Sequence, residues 1–516
     1  MFATLGDQVR SDLELSTLSI SVRTKWGQDL FQRRLLECTT DPSVLRQTQL
    51  PLLVLATEPV VRSNIRSCIA SIQPNIERID ECFDTNDARI QELITQILWK
   101  PTSSFAFFNT SPVLLNTAIS WKTIVLPGCS ILMPMLLMIV PYFLQKCIDP
   151  TLEVHQYLEH FKKVILQQIS IPNVLKSRGS EDRVGFFLES LFVGLTLAMF
   201  ISSLWNQISM SLHLRTIWHD MDDRGAKIRS LRRTAEEIVQ HLLTLSKKKQ
   251  RGVKHILEAG EHILENTKQM VHLDNVATFG LVWNNPKEIS ELKEWLGHID
   301  VLTSISELPN ICYPKIRTKI GFDMEDVYHP SLPECVRNSI QSDGHILLTG
   351  PNRGGKSTFC KTVGLALITA QSWGFAFAKK MSLHPFHSIS TVLEPCGKLG
   401  VVSTFEAEIE FAKSILASNT RPMFVMMDEI FHSTNALDGV AASRVFLKRM
   451  YSLPGIVSIV STHYVELAND FTSDARAFQL LTHERDDSTL LYTYKVVPGI
   501  SNRSSVMEIL RERGLV

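Results

Sequence analysis

The sequence predicts an α/β C-terminal third on a mainly parallel sheet, preceded by a mostly α-helical region, and three observations carry that reading. First, the apolar run His345–Thr349 passes directly into a glycine-rich loop. Second, two further apolar runs, Met423–Met427 and Ile456–Val460, end in Asp428-Glu429 and Ser461-Thr462-His463. Short uncharged runs of this kind are the pattern of strands covered on both faces. Third, the first hundred residues carry apolar side chains at helical spacing, in Ile65, Ile69 and Ile72 and again in Ile90, Leu93, Ile94 and Ile97, with Pro74 between the runs.

With 516 residues the chain has room for about two or three domains, and 44% hydrophobic content excludes a disordered chain. Lys plus Arg balances Asp plus Glu at 53 each, so no overall basic surplus announces a nucleic-acid binder, and any DNA contact must come from a local patch. The nine cysteines are scattered, with no C-x-x-C pair, and read as buried or incidental thiols, not a zinc site. Asp7, Asp12 and Glu14 interrupt the N-terminus, which lacks the apolar core of a secretory signal.

Four regions are expected. Residues 1–120 form a helical core part. Residues 121–214 hold two candidate transmembrane helices with their connecting loop: Thr123–Gln145 is uncharged throughout, as is Ser190–Leu212, and either approaches the ~20 residues that span a bilayer. Core helices of a large helical domain are the alternative, and Pro127, Pro134 and Pro141 favour it. Bases after the second stretch (Arg215, Arg224, Lys227, Arg229, Arg232, Arg233) orient such a hairpin with both chain ends in the cytosol, so the expected location is a membrane with the C-terminal domain facing the cytosol. Residues 215–320 form a helical lever or arm, with a basic tip at Ser246–Arg251, and residues 321–516 form the α/β domain.

The loop Gly350-Pro351-Asn352-Arg353-Gly354-Gly355-Lys356-Ser357-Thr358 fits G-x-x-x-x-G-K-[ST] in the strand-loop-helix setting that this motif requires. Its glycines let successive backbone N–H groups turn to phosphate oxygens, and the following helix adds its positive end. Lys356 is expected to reach the β- and γ-phosphates and Ser357 to ligate Mg²⁺. A chance match in a chain this long is on the order of a few in a hundred. Asp428 would hold Mg²⁺ and Glu429 would position and activate the attacking water. Taken singly, an Asp-Glu pair or a histidine after a strand is more often structural; their joint placement at parallel strand ends is where such sheets bind ligands. ATP and Mg²⁺ are the expected ligands.

Family resemblance rests on several stretches. Thr349–Thr358 is similar to the T-G-P-N-x-G-G-K-S-T loop of the MutS family, Met427–Ile430 and Thr434–Gly439 to its D-E-I and T-x-x-x-D-G segments, and Ser461–Leu467 to its [AS]-T-H-Y-x-E-L. Ser403-Thr404-Phe405 with Glu408 resembles S-T-F-x-x-E, and His329-Pro330 and Lys495–Gly499 also fit. The resemblance covers Tyr328 to Leu515 and is faint before it, at Ile299–Leu302 and at Thr40-Asp41-Pro42 with Arg46-Gln47. It implies an ABC-type P-loop ATPase domain in a dimer, either of identical chains or with a related ATPase, that clamps DNA. His463 would sense the γ-phosphate, Ser403 of one subunit would cap the nucleotide of the other, and Asp438 would lie at that seam.

Departures from the family pattern are Val401-Val402 in place of a glycine-arginine pair, the altered loop at Pro395-Cys396-Gly397, and the chain's end at Val516, before the family's helical dimerisation segment. Nothing resembles the mismatch-reading domain; Phe187-Leu188-Glu189 matches its F-x-E by chance. The leading expectation is a membrane-attached MutS-like ATPase. A soluble DNA repair or recombination ATPase and a nucleotide-binding scaffold with little turnover are the alternatives, whereas an ABC transporter would need an L-S-G-G-Q signature and more spans.

Overall fold

The computed structural model of the chain describes residues 2–81, 94–159, 182–393, 404–484, 490–503 and 505–514. The chain divides into two compact units, one of Met1–Pro74, Thr234–His262 and Glu291–Val516, the other of Asn75–Arg233 and Ile263–Ser290.

In the first unit the N-terminal helices begin where the sequence caps them. Helix α1 (Lys25–Leu35) follows Thr24, whose hydroxyl accepts from Gly27 N at 3.0 Å, and α2 (Pro42–Thr57) follows Asp41, whose carboxylate accepts from Ser43 N at 2.8 Å. Helix α3 (Pro59–Ile72) starts on a proline and buries Ile65, Ile69 and Ile72 along one face. A turn then leads from the long helix Asp182–Leu243 into α4 (Lys247–Asn266). The basic run there is partly engaged: Lys249 pairs with Glu58, while Lys247, Lys248 and Arg251 are exposed. Helix α5 (Pro286–Glu307) carries buried Asp300, whose Oδ2 accepts from Thr24 N and Thr24 Oγ1, both at 2.7 Å, and from Arg23 N at 3.0 Å.

His298, also on α5, packs between Arg34 and Trp373, and Arg34 Nη1 donates to its Nε2 at 3.4 Å. Desolvation, then the charges of Arg34 and His255, hold its pKa down to about 3 from an ordinary 6.5. The unfolded chain therefore takes up this proton near pH 6.5 and the folded one does not. Stability from neutral His298 is present above pH 6.5 and is lost as pH falls towards 3, by at most about 1.4 kcal/mol per pH unit. Unfolding midpoints of His298→Leu measured from pH 7 to 5 should fall less steeply than those of the wild type, and equal slopes would contradict this.

The strands are, in chain order, β1 (Thr4–Leu5), β2 (Lys315–Ile316), β3 (Phe322–Val327), β4 (Asn338–Ser342), β5 (His345–Thr349), β6 (Lys380–Leu383), β7 (Ser388–Val392), β8 (Met423–Asp428), β9 (Ile456–Thr462), β10 (Ala475–Glu484) and β11 (Leu490–Pro498). The larger sheet runs β1-β7-β8-β9-β5-β10-β11, parallel throughout except for β11 against β10, and the smaller runs β2-β6-β3-β4. This is the mainly parallel α/β domain expected, with a helical N-terminal region before it. Apolar β5, β8 and β9 are buried on both faces because helices cover them. On one side lie α6 (Lys356–Ser372) and Leu13; Gly364 lets the helix approach, since a Cβ there would stand 2.6 Å from Leu13 Cδ2 and 2.8 Å from Met426 Cε. On the other, α7 (Thr404–Ala417) and α8 (Ala436–Tyr451) close a core of Val425, Met427, Val460, Phe431, Phe446 and Met450.

The second unit is helical. Asn109, fully buried, accepts from Trp99 N at 2.8 Å and donates to Trp99 O at 2.7 Å and Asn284 Oδ1 at 2.9 Å. Of the second apolar run, Ile94 and Ile97 are buried, and Ile90 and Leu93 lie outside the described residues. The first uncharged stretch runs from the π-helical turn Trp121–Val125 into the helix Leu126–Ile148 and the second falls in the helix Asp182–Leu243, and Ser211 Oγ donates to Thr123 O at 2.7 Å.

The membrane expectation is corrected here. Among the described residues no helix is long and apolar enough to cross a membrane, so the two candidate spans, and the membrane location built on them, are withdrawn. Absence of charge is not apolarity. The second stretch carries Ser202, Ser203, Asn206, Gln207, Ser209 and Ser211 and continues without a break into Asp220, Asp222 and Asp223, and the first carries Pro127, Pro134 and Pro141.

Candidate nucleotide site

Register places the chemistry. Thr349 at the end of β5 pairs with Thr462 of β9, and Asp428 at the end of β8 pairs with Ser461 of β9. Three strands thus end level, and their following loops meet at one edge of the sheet, where parallel sheets hold ligands. A cavity of about 790 Å³ opens there, lined by Pro351 to Thr358, by Asp428, Glu429 and His432, and by Leu332, Val336, Asn338 and Tyr494.

The loop from Gly350 to Gly355 turns back on itself, with Gly354 N donating to Pro351 O at 3.1 Å. Gly355 sits at φ +95°, where a side chain is strained, and Arg353 occupies the same left-handed region at +65°. Asn352, Ser357 and Thr358 are exposed to the cavity, and Lys356 is buried. Lys356 Nζ donates to Gly350 O at 3.1 Å and Pro351 O at 3.4 Å and lies 3.3 Å from Glu429 Oε1.

Asp428 accepts from two hydroxyls, those of Ser357 and Ser461. Glu429 N donates to Ser461 O at 3.1 Å, and Glu429 Oε1 lies 3.4 Å from His463 Nδ1. The hydrogen bond from His463, with the Lys356 charge, outweighs burial and brings the Glu429 carboxyl down to about 2. Glu429 (φ +52°) and Phe431 (φ +58°) are both left-handed without being glycine. Such positions cost of order 1–3 kcal/mol each and persist where surroundings over-determine them, commonly at functional sites.

The structure therefore brings Lys356, Ser357, Asp428, Glu429 and His463 together. Asp438 stands apart from them at the start of α8, where its N–H donates to Asn435 Oδ1 at 2.9 Å and its side chain is exposed. Ser403 lies outside the described residues. Sequence reasoning missed three participants. Tyr494, on β11, lies against the loop: a Cβ on Gly355 would stand 3.0 Å from its ring. Its main chain is tied in by Asn338, which receives Val496 N at 2.9 Å and gives Nδ2 to Tyr494 O at 3.0 Å. The others are the Ser461 hydroxyl and His432, and only their positions at the end of β9 and shortly after β8 could have pointed to them.

Residues 346–515 match the family model for MutS domain V. The chain is 29% identical over 261 residues to the DNA mismatch repair protein MutS of Thermotoga neapolitana, covering 48% of this chain and 32% of that protein. It is 30% identical over 198 residues to the endonuclease MutS2 of Thermus thermophilus, covering 38% and 26%, and 28% identical over 242 residues to the DNA mismatch repair protein MutS of Lactobacillus acidophilus, covering 44% and 28%. The match thus spans about a third or less of these relatives' length. Residues 346–515 are thus similar to domain V of MutS proteins, and the relatives carry the MutS and MutS2 names.

Proposed function

We propose that this chain is a MutS-type ATPase that binds ATP with Mg²⁺ in the cavity above β5, β8 and β9 and hydrolyses it. One observation carries the reading: a buried lysine, a carboxylate beside a serine hydroxyl, and a second carboxylate held by a histidine converge on one cavity behind a glycine-rich loop.

Lys356 is held by loop carbonyls and Glu429, contacts that β- and γ-phosphates would replace with stronger, charge-assisted ones. Glu429, ionised throughout the neutral range, orients the attacking water and accepts its proton, while His463 fixes the carboxylate and faces the γ-phosphate end. Among the described residues no cluster of three or more His, Cys, Asp or Glu side chains could hold a metal, so a cation here must draw on phosphate and water oxygens. That suits Mg²⁺, for which Asp428 and Ser357 supply paired hard oxygens. When bound, Mg²⁺ would neutralise phosphate charge.

Tyr494 with Leu332 and Val336 forms the aromatic and apolar part of the cavity and suits the nucleobase. Base stacking is worth roughly 1–3 kcal/mol, so Tyr494→Ala should weaken ATP binding about tenfold, while Tyr494→Phe leaves it nearly unchanged. Titration of a fluorescent ATP analogue tests both variants, with Lys356→Ala as the control expected to lose binding. Binding by Lys356→Ala equal to that of the wild type would overturn the assignment of the cavity.

Ser403 capping a partner's nucleotide and Asp438 at the seam belong to this proposal, as does a dimer. DNA is the proposed macromolecular partner, supported by the relatives' names and by the exposed Lys247, Lys248 and Arg251. Binding to duplex must weaken as salt rises, and absence of binding at low salt removes DNA from the proposal.

A further inference from the structure

The cavity is lined by a histidine, His432, that the scheme above does not use. His432 Nδ1 lies 3.0 Å from Glu408 Oε1 and 2.7 Å from the main-chain oxygen of Glu429. Glu408, on α7, is almost wholly buried, and Ser433 Oγ donates to its other oxygen at 2.7 Å. A nitrogen facing two acceptors must carry the hydrogen, so the ring is the Nδ1–H form and its proton is shared between the two.

We infer that His432 is a positioning residue for hydrolysis, tying the peptide of Glu429 to the buried carboxylate of Glu408 and so to α7. The inference rests on the ATPase reading and deepens it. Residues Glu429 to Phe431 occupy two left-handed positions and need external support. Some comes from β9, where Ser461 O receives Glu429 N, and some from α8, where Ser443 Oγ donates to Ile430 O at 3.2 Å. Gly439 lets α8 approach, since a Cβ there would stand 2.5 Å from Phe431 O. His432 supplies the tie to α7. That helix begins at Thr404, so a displacement of its start is passed through a buried carboxylate and an imidazole to the main chain of the water-activating residue.

The link acts on the placement of Glu429, not on the phosphate loop, and should therefore govern turnover more than affinity. In the full chain, His432→Ala is expected to lower kcat about tenfold or more with the ATP Kd within about twofold of wild type. His432→Asn, whose amide can reproduce the Nδ1–H donor, should recover most of the loss. An unchanged kcat in His432→Ala, or equal losses of kcat and affinity in both variants, would overturn the inference.

A second measurement is independent of hydrolysis. With the 16 histidines labelled with nitrogen-15 and His432 identified through His432→Asn, its ring should report the Nδ1–H tautomer, and the Nδ1 resonance should shift in Glu408→Ala as one of its two acceptors is removed while the Glu429 oxygen keeps the tautomer. An Nε2–H tautomer in the wild type, or no response to Glu408→Ala, would overturn the contact. A wild-type chain that binds but does not hydrolyse ATP would sink the ATPase reading, and the tautomer would still decide whether His432 holds the Glu429 peptide.

Discussion

Glu429→Gln is expected to reduce ATP turnover by about 10²- to 10⁴-fold while leaving nucleotide binding intact, the range for loss of a positioned general base. The substitution keeps the side chain's shape and its reach to His463 and Lys356 but removes the charge and the proton acceptor. Removing a carboxylate beside Lys356 also frees that ammonium for phosphate, so affinity should hold or tighten. Phosphate release and nucleotide titration, run side by side, separate the two effects. The variant should change pH behaviour as well. The Glu429 carboxyl lies at about 2 in the folded chain against an ordinary 4.5, so its contribution to stability is present above 4.5 and is lost as pH falls towards 2. Glu429→Gln lacks that acid-sensitive part. Turnover equal to wild type would remove Glu429 from the mechanism.

Trp373→Ala should produce the largest loss of stability. The indole is fully buried, stacks on Phe31 at 5.8 Å between ring centroids, lies under the Arg34 guanidinium at 4.5 Å, and donates Nε1–H to Phe31 O at 3.3 Å. Truncating a buried Trp costs about 3–5 kcal/mol, and here it also uncovers a cation and its neighbour His298. Domains are stable by only about 5–15 kcal/mol, so the unit that contains the cavity should unfold at markedly lower urea, and nucleotide binding should fall with it. Trp373→Phe, which keeps the stack but loses the hydrogen bond, should lose about 1–2 kcal/mol. Midpoints of the two variants that match the wild type would show that this cluster does not hold the N-terminal helices to the α/β domain.

That the glycine-rich loop, Asp428-Glu429 and His463 lie at strand ends was legible because each is a local pattern: an apolar strand followed at once by polar or glycine-rich residues. Parallel pairing then brings the strand ends level with no further information from sequence. What could not be read was contact between distant segments. Tyr494 reaches Gly355 across well over a hundred residues, Glu408 meets His432 across a strand and a turn, and Ser461 turns its hydroxyl to Asp428 only because β8 and β9 are neighbours. Strand β1 was read as part of a helical region: two residues carry no periodicity, yet Thr4 and Leu5 pair with Ser388 and Ile389 at the sheet edge. Asp12 follows the same route, its carboxylate buried under Thr391 and Leu393. The membrane error had a different origin, since the reading weighed absence of charge above the prolines, serines and amides within those stretches.

The most direct test of the central claim is phosphate release from ATP by the wild-type chain, with and without Mg²⁺, against Lys356→Ala. The account predicts turnover that requires Mg²⁺ and disappears in the variant. Release no greater from the wild type than from Lys356→Ala would contradict it.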